Sequence, residues 1–135
     1  MAMATFVLAM GIGTAVIAMQ SGFRHLDLAR GTTVAAQIIQ SEMERIRMMS
    51  FSGIMALPAS DTFDGALNFT ASSRVVGKYS VTRTRVADSA RPTEVMNILI
   101  SVAWNTYDGR SHTRSFNSIY TKNGLYDYYY TIAHP

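Results

Sequence analysis

From Met1 to Phe23 the chain carries no Asp, Glu, Lys, Arg or His, and its polar side chains are limited to Thr5, Thr14, Gln20 and Ser21. A helix of about 20 apolar residues satisfies its own backbone and crosses the ~30 Å hydrocarbon layer of a bilayer, so this run predicts a helix suited to lipid. At Arg24 the character changes, because Arg24, His25, Asp27 and Arg30 are costly in hydrocarbon. Beyond them Leu28, Ala35, Ile39, Met43, Ile46 and Met49 recur at sevens, fours and threes, the stripe of one helical face. Arg30, Thr33, Gln37, Gln40, Glu44 and Arg47 fall on the other side, with Glu42 to Arg45 and Glu44 to Arg47 as i,i+3 pairs of small individual value. No proline precedes Pro58, so the pattern predicts one rod from residue 1 to about 51, roughly 75 Å long. Ser52-Gly53 and then Pro58 predict its end.

The period then changes. Residues 53–73 carry turn formers at short intervals, which predicts an irregular connection with Leu67 and Phe69 touching the core. Val75 to Val86 alternates, with Tyr79 and Val81 on one side and Ser80, Thr82 and Thr84 on the other. After the breaker-rich stretch Ala87 to Pro92, Val95 to Asn105 places Met96, Ile98, Ile100, Val102 and Trp104 on one face, the pattern of a half-buried strand. Asp108-Gly109 predicts a hairpin into a third strand, Arg110 to Thr121. A two-residue loop sets Asn117 opposite Ile100. A three-residue loop, Tyr107-Asp108-Gly109 with Gly109 left-handed, sets Phe116 opposite Ile100 and Tyr120 opposite Met96. A one-residue slip exchanges the faces of a strand, so the apolar pattern selects the second register.

The expected fold class is α+β: a long N-terminal helix, apolar in front and amphipathic behind, whose rear stripe lies on a small antiparallel sheet. The expected helix-on-sheet core is Leu28, Ala35, Ile39, Met43, Ile46 and Met49 against Met96, Ile98, Ile100, Val102, Trp104 and Phe116. Residues 1–23 form one segment and 24–135 a head, made of a rear helix 24–51, the connection 53–73, a sheet 75–121 and a tail 122–135. That tail, after the Asn123-Gly124 turn, holds Tyr126, Tyr128, Tyr129 and Tyr130.

Composition narrows the chemistry. Of 135 residues about 110 lie outside the apolar run, enough for one modest domain. There is no cysteine, which excludes disulfides and thiolate sites. The apolar run lacks a basic start, exceeds the 7–15 residues of a secretory signal core, and no A-x-A site follows it. Phe6, Val7, Leu8, Met10, Gly11, Ile12, Gly13, Val16 and Ile17 are the candidate surface for packing in a membrane or among like helices. Gly11 and Gly13 weaken a helix but permit close helix packing, and Ala9 and Gly13 have small-xxx-small spacing.

Residues 74–122 hold eight basic residues against three acidic ones. Arg83 and Arg85, with the four tail tyrosines, are therefore a candidate ligand or subunit surface, and DNA is the anionic partner such a surface attracts. The competing reading is charge that solvates strands. Asp61 and Asp64 lack a third carboxylate for calcium. His25, His112 and His134 have no metal-ligand spacing, and neither a phosphate-binding loop, a dinucleotide fingerprint nor G-x-S-x-G occurs. The residues point to no catalytic site, cofactor or metal.

Thr5-Phe6-Val7-Leu8-Ala9-Met10-Gly11-Ile12-Gly13 resembles the apolar segment of the type IV pilin and type II secretion pseudopilin family. Ala36-Gln37-Ile38-Ile39-Gln40-Ser41-Glu42-Met43-Glu44-Arg45-Ile46-Arg47 resembles the rear helix of its minor members, and Trp104 to Arg110 is similar to their sheet. The resemblance implies a structural subunit with a pilin-like fold, held in the bacterial inner membrane by residues 1–23 with a periplasmic head. It further implies trimming by a prepilin peptidase and extraction by an assembly platform into a pilus or pseudopilus among other pilins. The absence of cysteine departs from many major pilins and points to a minor pilin or pseudopilin. Family members carry a basic leader ending in glycine, a phenylalanine, and a glutamate five residues into the mature chain. Superposed apolar segments put these just before Met1, so none of their roles passes to a residue of this sequence. Two further readings are a minor pilin that binds DNA or a surface, and a signal-anchored envelope protein outside any filament.

Overall fold

The computed structural model describes residues 2–69, 72, 74–125 and 132–133. Helix α1 runs unbroken from Ala2 to Arg47, 46 residues or about 69 Å of rod. Its two halves have different surroundings. Every residue from 3 to 26 is exposed, whereas Ala35, Ile38, Ile39, Met43 and Ile46 are buried, and Leu28 and Met49 pack half-buried against them.

α1 ends earlier than the proline-free sequence suggests. The last turn tightens, with Met49 N–H donating to the Ile46 carbonyl. Ser50 is then extended (φ −66°, ψ 158°) and its hydroxyl accepts the Gly53 N–H at 3.1 Å. This serine N-cap starts a second helix, α2 (Phe51–Ala56). Ser52-Gly53, the expected stop, therefore lies inside α2, which adds Phe51 and Ile54 to the core.

Four strands, β1 (Ser60–Asp64), β2 (Tyr79–Ala87), β3 (Val95–Asn105) and β4 (Ser111–Thr121), form one antiparallel sheet in the order β1-β2-β3-β4. β1 corrects the irregular reading of 53–73. It is an edge strand whose inward positions are Asp61 and Phe63, so it has no run of alternating apolar residues to reveal it. The loop after it is tied to α1 by polar bonds through Asn68, which leaves Leu67 and Phe69 exposed rather than in the core. β2 begins at Tyr79, not Val75, because residues 74–78 turn through Gly77 at φ +69°; Val75 is buried from that turn.

The inner face of β3 is the floor of the core: Met96, Ile98, Ile100, Val102 and Trp104 are all buried in one cluster with the α1 stripe. Thr106 N–H donates to the Arg110 carbonyl and Gly109 N–H to the Thr106 carbonyl, each at 2.9 Å, with Gly109 at φ +78°. These bonds close the three-residue loop Tyr107-Asp108-Gly109 and set Ile100 opposite Phe116 and Met96 opposite Tyr120. Register follows the apolar pattern, but burial does not follow it throughout. Phe116 is 49% exposed. It sits on the edge strand, beyond the cover of α1, and lines an open groove with Gln40, Glu44 and Arg114.

Helix and sheet approach closely at Gly31, where an added Cβ would collide with Trp104 Nε1. Gly31→Val should therefore destabilise the head by roughly 1–3 kcal/mol through overpacking, against a helix-propensity gain of only about 0.4 kcal/mol. Trp104 is the only tryptophan, so urea unfolding followed by its emission measures the loss directly.

Candidate functional site

The front of α1 is the largest chemical anomaly of the molecule. Phe6, Val7, Leu8, Met10, Ile12, Val16 and Ile17 are each 47–68% exposed, and Met19 and Phe23 continue the surface. Among the described residues nothing lies within 4 Å of a Cβ placed on Gly11 or Gly13, so the fold of the single chain does not require either glycine to be small. The Thr14 hydroxyl donates back to the Gly11 carbonyl at 2.9 Å, which removes one of the few polar groups from the outer surface. The most apolar 18-residue window has a mean hydropathy of 1.7 and none of it is buried. A soluble core helix is apolar because it is covered; this one is apolar on all sides and uncovered. By length and composition it is able to cross a membrane.

The rod carries its first charge at Arg24. One turn later the Asp27 carboxylate Oδ2 accepts the Tyr107 N–H at 2.7 Å, pinning the β3–β4 hairpin to the helix. Between them opens a cleft of about 900 Å³ lined by Phe23, Arg24, His25, Asp108, Arg110 and His112, among others. Thr106 Oγ1 donates to Asp108 Oδ1 at 2.6 Å and Arg110 Nε lies 3.4 Å from Asp108 Oδ2. The Thr106 hydrogen bond, outweighing partial desolvation and helped by Arg110 and the charge of Arg24, holds the Asp108 carboxyl below its ordinary value. His112 stacks on Trp104 with ring centroids 5.7 Å apart.

The third feature is a buried polar knot under the head. Glu42 is 2% exposed. Its Oε1 accepts from Arg45 Nη2 (2.5 Å) and Arg83 Nη1 (2.8 Å), and its Oε2 from Arg45 Nε (3.0 Å) and Asn68 Nδ2 (3.1 Å). Arg83 Nη2 continues to Asp61 Oδ2 at 3.0 Å, with the Phe63 ring centroid 5.7 Å from the guanidinium carbon. The knot therefore joins α1, β1, β2 and the loop after β1.

This knot corrects the expected ligand surface. Arg83 is 4% exposed because it shares the inward face of β2 with Val81. Arg85 is also held within the fold, donating to the Leu57 carbonyl (3.1 Å) and to Met96 Sδ (3.8 Å), which fastens the end of α2 to the sheet. Tyr126, Tyr128, Tyr129 and Tyr130 lie outside the described residues. Arg83 is thus inside the fold and Arg85 half-buried, and among the described residues the basic surface retains Arg74, Lys78, Arg91, Arg110, Arg114 and Lys122. Asp61 and Asp64 do not converge either: Asp61 serves Arg83, while Asp64 accepts the N–H groups of Ala66 and Gly77 (2.9 and 2.6 Å). Glu42, expected only as one end of a helix-surface pair with Arg45, is instead buried; the signal that could have found it is its place on the helical face of Ile38, Ile39, Met43 and Ile46. An acid there and a base at an inward β2 position are complementary, but two separate stripes do not state that they meet.

Burial pushes the Glu42 carboxyl upward; the hydrogen bond and charge of Arg45, the charge of Arg83 and the Asn68 amide outweigh it, so the carboxyl lies below its ordinary value of 4.5. A depressed folded-state pKa contributes stability that is full above the unfolded value and is lost as pH falls through the folded one. The urea midpoint of the head should therefore fall on acidification below pH 4.5. Glu42→Gln should remove that part of the acid sensitivity, and an unchanged acid slope would show that the carboxylate is not perturbed.

No family model matches the chain, and neither the curated proteins nor the solved structures give a match.

Proposed function

We propose that the chain is a structural subunit of a pilin-like filament, a minor pilin or pseudopilin of a type IV pilus or type II secretion system, held in the bacterial inner membrane before assembly. One observation carries this reading: a single continuous helix that is bare and apolar on all sides over residues 3–23 and roofed by an antiparallel sheet from Gly31 onward. Such a rod has two interchangeable homes. Lipid covers the front half in the membrane, and the front halves of neighbouring subunits cover it in a filament, with no charge to desolvate in either place. Gly11 and Gly13, free of any role within the described fold, are sites where neighbouring helices approach closely. The body of the head remains in water in both states, as its exposed charges require. The partners are other subunits of the same architecture, with a prepilin peptidase and an assembly platform acting on the membrane form.

The chain has no cysteine, so single cysteines at Leu8 and Ile17 give clean crosslinks in the producing bacterium. The expected result is a crosslink to a neighbouring subunit in fibres sheared from cells or released with the secretion machinery. Recovery of the chain only as an uncrosslinked inner-membrane protein, in cells whose fibres and secretion are intact, would overturn the proposal in favour of a plain membrane-anchored envelope protein.

A further inference from the structure

The first charge after the apolar run is Arg24, which sets the edge of the hydrocarbon layer near Phe23. The head places a second element at almost the same height. The Tyr107 N–H is bonded to Asp27, and four residues of helix from Phe23 to Asp27 amount to about 6 Å. A bilayer of ~30 Å hydrocarbon is ~40–45 Å thick with its headgroups, so each headgroup layer is of about that depth. The hairpin tip also points toward the membrane end of the rod. Along β3, Ile100 is opposite Arg83, which reaches Glu42; Trp104 meets Gly31; and Tyr107 meets Asp27. The chain order of β3 therefore runs down the helix, and the cleft beneath its tip has Gln20, Ser21 and Phe23 in one wall.

The chemistry of the tip fits that layer. Tyr107 is 99% exposed, and an amphipathic aromatic ring is the side chain that settles at headgroup level. Arg24 and Arg110 line the same cleft, and a guanidinium fork matches the oxygens of a phosphate. Of the two carboxylates nearby, Asp27 accepts the Tyr107 N–H and Asp108 accepts from the Thr106 hydroxyl; Arg110 meets Asp108 only through Nε at 3.4 Å, an exposed pairing that a phosphate can share or displace. Basic groups beside a membrane helix are drawn to anionic lipid.

We propose that the tip of the β3–β4 hairpin is a lipid-headgroup contact, in which Tyr107 lies among the headgroups and Arg24 and Arg110 grip the phosphate of an anionic phospholipid. The contact rests on the reading of residues 3–23 as a membrane span. It fixes how the head leans and faces while the chain is in the membrane, and it is broken when the rod is withdrawn.

The test uses the full chain in phosphatidylcholine vesicles with and without phosphatidylglycerol. Single cysteines carry a fluorophore at Asn105 beside the tip, at Ile119 on the outer sheet face and at Ile12 in the rod, and quenching by aqueous acrylamide is measured. Trp104 emission checks folding. The expected result is several-fold weaker quenching at Asn105 than at Ile119, weaker still with phosphatidylglycerol. Tyr107→Ser should raise quenching at Asn105, and Arg24→Gln with Arg110→Gln should abolish the response to phosphatidylglycerol. Equal quenching at Asn105 and Ile119 with Ile12 protected would overturn the headgroup contact while leaving the span intact. Protection at Asn105 that ignores both phosphatidylglycerol and the arginine pair would overturn the phosphate grip. Full quenching at Ile12 would instead remove the span on which the contact depends.

Discussion

Glu42→Ala is expected to destabilise the head by about 3–5 kcal/mol, the usual result of removing one partner from a buried ion pair. The loss comes from what is left behind. Arg83, buried among Val81, Phe63 and the α1 stripe, would keep only Asp61, and its Nε already lacks a hydrogen-bond partner among the described residues. Asn68 would lose its bond to α1 at the same time, loosening the loop after β1. Urea unfolding in detergent micelles, followed by Trp104 emission, gives the magnitude. The double replacement Glu42→Leu with Arg83→Met removes both charges and should recover most of the loss, because apolar groups of similar size often match a buried ion pair. A single-mutant effect below about 1 kcal/mol, the range of exposed pairs, would show that the pair is hydrated.

Ile12→Lys should leave the head untouched and abolish stable membrane insertion. A lysine at the centre of a spanning helix costs about 2.5–3.5 kcal/mol on insertion scales, and the lost isoleucine adds roughly 0.5 kcal/mol. Together they lower partitioning by more than about 100-fold. Ile12 is exposed and belongs to no buried cluster, so the unfolding midpoint of the head should stay within about 0.5 kcal/mol of the parent value. Alkaline extraction of membranes measures the first effect and urea unfolding the second. A variant that remains fully in the extracted membrane would sink the reading of residues 3–23 as a span.

The division of labour along α1 was legible because both halves declare themselves by period and charge: no ionisable group before Arg24, then an apolar stripe at helical spacing. The register of β3 against β4 was legible too, since only one loop length keeps Ile100 opposite an apolar residue. What escaped were features whose signal lies in a partner far along the chain. β1 is short and its inward Asp61 makes sense only beside Arg83. The end of α1 at Arg47 is written in the Ser50 hydroxyl, a single capping group inside a sequence otherwise content to be helical. Arg83 and Arg85 counted as surface charge because an arginine is normally solvated, and only the pairing of β2 over Glu42 and α2 takes Arg83 inside and half-buries Arg85. Phe116 failed in the opposite direction: its parity is inward, but the helix is narrower than the sheet.

That mismatch of widths has a consequence for the free margin of the sheet. Among the described residues β4 has no strand on its far side, so eleven residues of backbone stand ready to template another ribbon, and Phe116 offers grease to hold it. Arg114, two positions away on the same face and opposite Val102, would be trapped in that seam as a bare cation. A guarded margin of this kind discourages lateral ladders.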